Sequence, residues 1–453
     1  VVIPGYSTSN YYESAFIPEF RKTVEIPLNY DQSLQIGFET SDNSAVSFST
    51  GNCRILISEV AFFEPSPSIR FNFYYDVLER LMYILTGRKN SFISSWLGRK
   101  EKGYTNDGFG GLIGFVSGLW IRNFKSNSER YKSPKISLKD GLESIANCFN
   151  LGYGVETINN TEKLVLEEIS YFYRSELGGE FPTQTNDYKF KVDGKSLYSR
   201  LEFGYEKGGN LEQQMGLDEP NIKSQFISPI NNTKNKFIKI SKVRADEYKL
   251  ETLRRKPQIS YPNEGLSGDE DNWFLDLKRS NDVDVEYEQV EWSDRLAEAP
   301  TGIHSPDTFR SMLFTPRAIL FRMASNFKSG IYVFKEKFIN FISSSSNRDL
   351  SMQFTDESKA YKESDNFKIS ELNRPIFKSE IVEFTHPWTE EVEELIFGKT
   401  EVIINGDKRM VPNYYFKIGF KDNKGETQRG YYLRHEFDDN PTFTFQLANE
   451  EII

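Results

Sequence analysis

Histidine and cysteine are nearly absent from this chain: among 453 residues there are 3 histidines and 2 cysteines. That arithmetic excludes a His- or Cys-rich metal centre, which draws its ligands from those two residue types. Cys53 and Cys148 lie far apart, outside any metal-ligand spacing, and are expected as small apolar core residues. Long hydrophobic runs are also missing. The most apolar run, 110–121, is glycine-rich and is followed by Arg122. It falls short of the ~20 apolar residues that cross a bilayer, so a soluble protein without a membrane span is expected. Positive charge is in deficit, 56 Lys and Arg against 66 Asp and Glu, a net charge of −10. The chain as a whole therefore has no electrostatic footprint for nucleic acid or anionic membrane, although a local basic patch is compatible with the average. The chain opens Val1-Val2-Ile3-Pro4 with no Met and no cleavable signal segment, which reads as a trimmed or processed start.

Aromatic residues are abundant. Phe contributes 37 and Tyr 24, and with 5 Trp they make 15% of the chain. A disordered chain does not carry so many large side chains. Bulky rings suit the half-buried surface of a strand, so a β-rich protein with few helices is expected. The length suggests roughly three domains.

Periodicity refines this. Thr23–Leu28, Leu34–Phe38, Ser44–Phe48 and Cys53–Val60 alternate as strands. Tyr74–Thr86 reads as a helix with Val77, Leu78, Leu81, Met82 and Leu85 on one face and Gly87 as its stop. A shorter helical piece is expected over Phe92–Leu97, and a glycine-dense loop over 103–118. Ser137 is a natural N-cap for a helix to Asn150, with Leu138, Leu142, Ile145, Ala146 and Phe149 as its stripe and Gly152 and Gly154 closing it. Tyr153–Ile158 and Lys163–Ile169 form a hairpin around Asn159-Asn160. Leu197–Tyr205 and Trp273–Leu277 read as strands, Thr315–Lys328 as a helix, and Ala297–Pro306 as a linker. The C-terminal part reads as an antiparallel meander: a hairpin turning at Asn405-Gly406, then strands around Ile418, Gly430–His435 and Phe443–Leu447. Phe20–Leu28 also resembles Phe377–Phe384, a similarity compatible with two related β modules.

The fold expected is mainly β with an α+β insert. Several antiparallel barrel or sandwich modules accompany a small helix-on-hairpin module. The divisions are 1–130 (β-rich, helices near 74–97), 131–180 (α+β), 181–300 (β-rich) and 301–453 (helix plus β meander).

Candidates for chemistry are few. His304, His386 and His435 stand in no nucleophilic or metal arrangement and read as structural. Gly108-Phe109-Gly110-Gly111 lacks the Gly-Lys-Ser/Thr ending of a phosphate loop. Asp282, Asp284, Glu286 and Glu288 alternate as one face of a strand and read as solvated rather than as a Ca²⁺ site, and Asp269-Glu270-Asp271 reads as a solvated loop. Tyr171-Phe172-Tyr173 and Tyr414-Tyr415-Phe416 are the densest aromatic clusters; a sugar platform is one reading and core packing the default. No residue is singled out as catalytic, cofactor-binding or metal-binding, and no enzyme is expected.

Several segments in order resemble tail proteins of phages that infect Bacteroidetes, crAss-like phages included. They are Ser137–Ser144 with Phe149–Glu156, then Ile169-Ser170-Tyr171-Phe172-Tyr173, then Leu197–Lys207, then Gly216–Asn221, then Tyr248–Arg255. The order and approximate spacing agree over about 66–280. The resemblance implies a virion structural protein, a baseplate or tail-hub component built from β modules. It implies a homo-oligomeric ring in contact with other tail proteins, with DNA passing transiently through it, and assembly into the phage tail in the host cytoplasm. It supplies no catalytic residue and no cofactor, and nothing here reads as the lytic or spike domain that often accompanies hub proteins. The alternatives are a receptor- or glycan-binding adhesin of a tail or cell surface and, at greater distance, a glycan hydrolase using paired carboxylates.

Overall fold

The computed structural model describes residues 71–121, 134–206, 213–214, 217–218, 222–245, 250, 268–279, 287–289, 312–344, 353–356, 359–436 and 441–449. The expected strands before residue 61, Cys53, the 297–306 linker with His304, and Asp282, Asp284 and Glu286 lie outside them. All described residues belong to one unit, Pro65–Ile453.

β1 (Asn72–Phe73) runs directly into α1 (Tyr74–Thr86), which ends at Gly87. The buried face of α1 is Tyr74, Tyr75, Leu78 and Met82, whereas Leu85 is 70% exposed. Val77 and Leu81 pack at the margin of the same core, and the aromatic pair at the N-terminal end shifts the buried face toward Tyr75 and Met82. The expected helix over Phe92–Leu97 is instead β2 (Phe92–Ile93), paired in parallel with the strand at Leu164–Val165. Within the glycine-dense stretch, short 3-10 turns lead to β3 (Ile113–Ser117), buried throughout, and the one-turn α2 (Gly118–Ile121). The apolar run is thus a core strand, and Gly108 is held close rather than loose: a Cβ there would lie 2.1 Å from the Ser95 carbonyl.

α3 (Leu138–Phe149) begins where the sequence places it. The Ser137 hydroxyl accepts the Asp140 N–H at 3.0 Å. Its end is Asn150 in the left-handed region, not Gly152 or Gly154, which lie inside the next strand. β4 (Leu151–Ile158) and β5 (Thr161–Glu168) pair over all eight positions across Asn159-Asn160, both at positive φ. With β2 they make a sheet of order β2-β5-β4, followed by one-turn α4 (Ile169–Phe172).

β6 (Leu177–Glu180) and β7 (Asn186–Val192) come next, then β8 (Arg200–Tyr205) and the two-residue strands β9 (Gln213–Gln214) and β10 (Leu217–Asp218). β11 (Ser224–Ile227), β12 (Lys236–Ser241), β13 (Asn272–Arg279) and β14 (Tyr287–Gln289) follow. β13 pairs with β3, giving the order β1-β3-β13-β14. α5 (Pro316–Met323) is capped by the Thr315 hydroxyl and buries Ile319, Leu320 and Met323 as expected. β15 (Phe338–Ser344) precedes the pair β16 (Gln353–Asp356) and β17 (Lys359–Lys362), and β18 (Phe367–Lys368) completes a five-stranded sheet of order β12-β8-β11-β15-β18. The largest core joins this sheet to α1, α3 and α5. Leu142, Ile145 and Phe149 meet Phe203, Tyr205, Phe314 and Leu320 there, so the helix-on-hairpin unit has no core of its own.

The C-terminal part holds β19 (Phe377–Thr385), α6 (Glu390–Phe397), the hairpin β20 (Lys399–Ile404) and β21 (Asp407–Pro412), and the meander β22 (Lys417–Lys421), β23 (Thr427–Glu436) and β24 (Thr442–Ala448). Asn405 and Gly406 are both at positive φ, as a type I′ turn requires. Both edges of the meander sheet come from elsewhere: its order is β6-β22-β23-β24-β19-β7. The expected boundary at 180 falls between these two edge strands. Only residues 181–185 connect them, and Thr185 N–H reaches Lys421 O on β22 while Asn186 already pairs with Thr385 on β19. Six flat strands would set the edges about 24 Å apart; a link this short draws them together, so the sheet rolls around Phe181, Phe384, Phe420, Phe443 and Phe445. The protein is mainly β, with antiparallel and mixed sheets and a small α+β unit.

Candidate functional site

The most concentrated polar chemistry is a buried seam where β5, the loop after β2 and the β20–β21 hairpin meet. On β5, Leu164, Val165, Leu166 and Glu167 are all buried. On the hairpin, strand alternation puts Arg409 on the same face as Val411 and opposite Val402, so the guanidinium points inward. Arg409 Nη1 donates to Glu167 Oε1 at 2.8 Å, the two side chains being 6% and 4% exposed. Glu167 also accepts the Ser95 N–H at 2.6 Å and the Trp96 N–H at 3.0 Å, and Arg409 Nη2 donates to the Ser95 hydroxyl at 2.5 Å. Burial pushes the Glu167 carboxyl above the usual carboxylate range against the pull of Arg409 and the two amides. Burial also opposes the charge of Arg409, and Glu167 together with the Tyr171 and Tyr104 phenols outweighs it. A second carboxylate lies beside this pair. Glu156 accepts the Tyr171 and Tyr415 hydroxyls, each at 2.9 Å. Burial raises its pKa although both phenols and the nearby guanidinium oppose the rise.

This arrangement fastens three distant chain segments and leaves its polar groups occupied. Paired-acid hydrolysis works across a solvent-facing cleft; Glu156 and Glu167 are both buried, and neither lines the cleft described below. Glu156 supplies a direct test. In Glu156→Gln, the amide oxygen accepts one phenol and the amide N–H donates to the other. Because the folded carboxyl titrates above its unfolded value, the native state holds the proton more tightly. Its contribution is present at acid pH and is lost as pH rises from the usual carboxylate range. Glu156→Gln is therefore expected to stay within about 1 kcal/mol of wild type and to lose part of the decline of stability with rising pH. Urea titrations from acid to neutral pH check this; parallel trends in the two proteins count against it.

The sequence candidates fall as follows. The two aromatic clusters, separated by some 240 residues, form one: Tyr171 and Phe172 meet Tyr415 edge-on at 5.5 and 5.1 Å. Tyr173 packs instead on Phe377 and Tyr431. No sugar platform is formed by them. His386 is buried, bonded to the Thr183 hydroxyl and the Pro387 carbonyl, and His435 bonds to the Tyr432 hydroxyl. Cys148 is a buried free thiol pushed up to about 11 by burial. Of the 269–271 acids, Glu270 is exposed as expected and pairs with the exposed Lys135, whereas Asp269 is buried and Asp271 pairs with the buried Arg244. Among the described residues no group of His, Cys, Asp and Glu side chains gathers to hold a metal. Sequence reading missed Glu156, Glu167 and Arg409. The usable signal was register, since the Asn405-Gly406 turn fixes which hairpin residues face inward.

An open cleft of about 420 Å³ lies between α3, β4, β12 and α5. Asn147, Asn150, Asn326 and Lys239 contribute polar groups, and the half-exposed Tyr153 and Ile238 stand at its walls. Burial lowers the Lys239 pKa. Another lysine, Lys328, lies over the Phe377 ring at 4.6 Å and donates to Gln446, with its ammonium pushed down to about 8 by burial. Its penalty is full below pH 8 and lifts as pH rises toward 10.5, the unfolded value. Lys328→Met is expected to gain about 1 kcal/mol at pH 7 and to remove the rise in stability above pH 8. A variant less stable than wild type at pH 7 refutes this.

Comparison of the chain with models of protein families, with curated proteins and with solved structures finds no match.

Proposed function

We propose that this chain is a virion structural protein, a tail-hub or baseplate component that assembles as a homo-oligomeric ring and connects the tail tube to distal tail parts. The observation that carries the reading is the ordered run of segments 137–156, 169–173, 197–207, 216–221 and 248–255. What supports it further is the use these segments make of their distinctive residues. Ser137 caps α3, Tyr171 holds Glu156, and Tyr205 donates to the Phe314 carbonyl at 2.7 Å. Each is spent on packing, as suits a scaffold. A ring buries heterologous patches between copies, and strands that end their sheets among the described residues, such as β7 and β12, are natural joining points.

Size-exclusion chromatography with light scattering, together with mass spectrometry of purified virions, tests the proposal. Assembly above the dimer and stoichiometric presence in particles are expected. A strictly monomeric chain that is absent from virions sinks it. The second reading, a glycan-binding adhesin, is favoured only by the cleft with its amides and the exposed Tyr153 ring. Saturable binding of an oligosaccharide, lost in Tyr153→Ala, would move the assignment there.

A further inference from the structure

Although the chain is acidic overall, one surface strip is basic. Among the described residues β7 ends the rolled sheet, and one face of it carries exposed Lys189 and Lys191 between Asp187 and Asp193. The strip continues through Lys195. Asn235 Nδ2 donates to the carbonyls of Gly194, Lys195 and Leu197 at 3.0, 3.2 and 3.1 Å, which ties that turn to the start of β12 between Lys234 and Lys236. Arg200 and Lys236 are directly paired positions of β8 and β12. Like charges on paired positions cost stability. Only Glu202, which reaches Lys236 at 3.3 Å, relieves this. Among the described residues, Lys189, Lys191, Lys195, Arg200 and Lys234 have no ion-pair partner. Phe190 and Val192, each 58% exposed, alternate with the two lysines and so stand on the other face of the same edge strand. Phe190 pairs with the buried Val382, so an apolar row of the sheet runs out into solvent there.

The complement is on the same chain. α6 exposes Glu390, Glu391, Glu393 and Glu394 and carries no basic residue. The first three favour the helix dipole; Glu394 lies beyond the first turn. Among the described residues, none of the four has an ion-pair partner. Leu395 of α6 packs on Gly179 of β6, which places exposed Phe397 (43%) and Leu177 (45%) beside the acids. Glu383 is the position paired with Lys189 on β19, yet basic residues outnumber acids along the strip, so each patch joins an excess of charge of one sign to exposed apolar side chains nearby.

We propose that the basic strip along β7 and the 195–200 turn docks the α6 face of a second copy of this chain. This rests on the ring reading and names its contact surfaces. Charge of opposite sign gives such a contact its register, and the apolar residues give it desolvated area. A nucleic acid fits less well, because phosphates find no use for Phe190 and Val192 and the net charge of −10 opposes approach.

The experiment uses charge reversal of the full chain, read by light scattering and sedimentation. Lys189→Glu with Lys191→Glu, and separately Glu390→Lys with Glu394→Lys, are expected each to weaken self-association at least 10-fold. All four changes combined are expected to restore it, which a folding defect cannot do. Unchanged assembly in both reversed proteins overturns these surfaces and leaves the ring reading standing. A wild type that does not assemble overturns both. Loss of duplex-DNA retention in the Lys189→Glu, Lys191→Glu protein, with assembly unchanged, reassigns the strip to nucleic acid and overturns the proposal as well.

Discussion

Arg409→Met is expected to lower the stability of the folded chain by about 3–5 kcal/mol. Methionine fills much of the arginine volume, so the loss is electrostatic rather than a cavity. Glu167 would keep its two amide donors from Ser95 and Trp96 but lose the guanidinium that pairs with it, at a site where its side chain is 4% exposed. A buried carboxylate without its cation either stays charged at high cost or takes a proton. Its carboxyl, already raised by burial, then rises further. The sign follows: the variant loses more stability than wild type as pH rises above the usual carboxylate range, and the gap narrows in acid. Glu167→Gln in the Arg409→Met background removes the stranded charge and is expected to recover part of the loss. Urea denaturation at acid and neutral pH measures all three proteins. An Arg409→Met protein within 1 kcal/mol of wild type would falsify the seam as the fastening of the hairpin.

That seam shows where sequence reading stops. The elements around it were legible because each is local. Ser137 and the Leu142, Ile145, Phe149 spacing specify α3, and Asn405-Gly406 specifies the hairpin that carries Arg409. The partnership of Arg409 with Glu167 was not legible, because 242 residues separate them and nothing local distinguishes Glu167 from a solvated acid. The rolled sheet has the same history. Its meander strands alternate plainly, yet its two edges are supplied by 177–192, whose Leu-Gly-Gly-Glu and Lys-Phe-Lys-Val patterns name no partner. The errors near the N-terminal helix are of another kind. Phe92, Ile93, Trp96 and Leu97 have helical spacing, but parallel pairing to β5 claims the first two and the Glu167 contacts to the Ser95 and Trp96 amides hold the rest extended or bent. A short apolar run carries either period, and the long-range partner decides.

The second large effect is expected at Gly204, inside the segment Leu197–Lys207 that carries part of the family resemblance. Its φ is +127°, a region that L side chains rarely adopt, and a Cβ built there would lie 1.9 Å from the Ile222 carbonyl oxygen. Relief requires moving backbone, because Ile222 leads into β11, which is paired with β8 from Ser224 opposite Phe203. β8 is an interior strand whose Phe203 and Tyr205 are buried in the main core. Backbone strain of this kind costs about 1–3 kcal/mol, and the clash adds to it, so Gly204→Ala is expected to cost about 3 kcal/mol or more. Gly194→Ala is the control: it lies ten residues earlier with open space at its Cβ position and no positive φ. It is expected to stay within about 0.5 kcal/mol. Thermal and urea unfolding of the two variants separate the outcomes, and equal stabilities refute the account. A glycine demanded by strand-to-strand approach marks a constraint of the backbone path rather than of a reaction, so a large loss at Gly204 with none at Gly194 would assign Gly204 to the packing of β8 against β11.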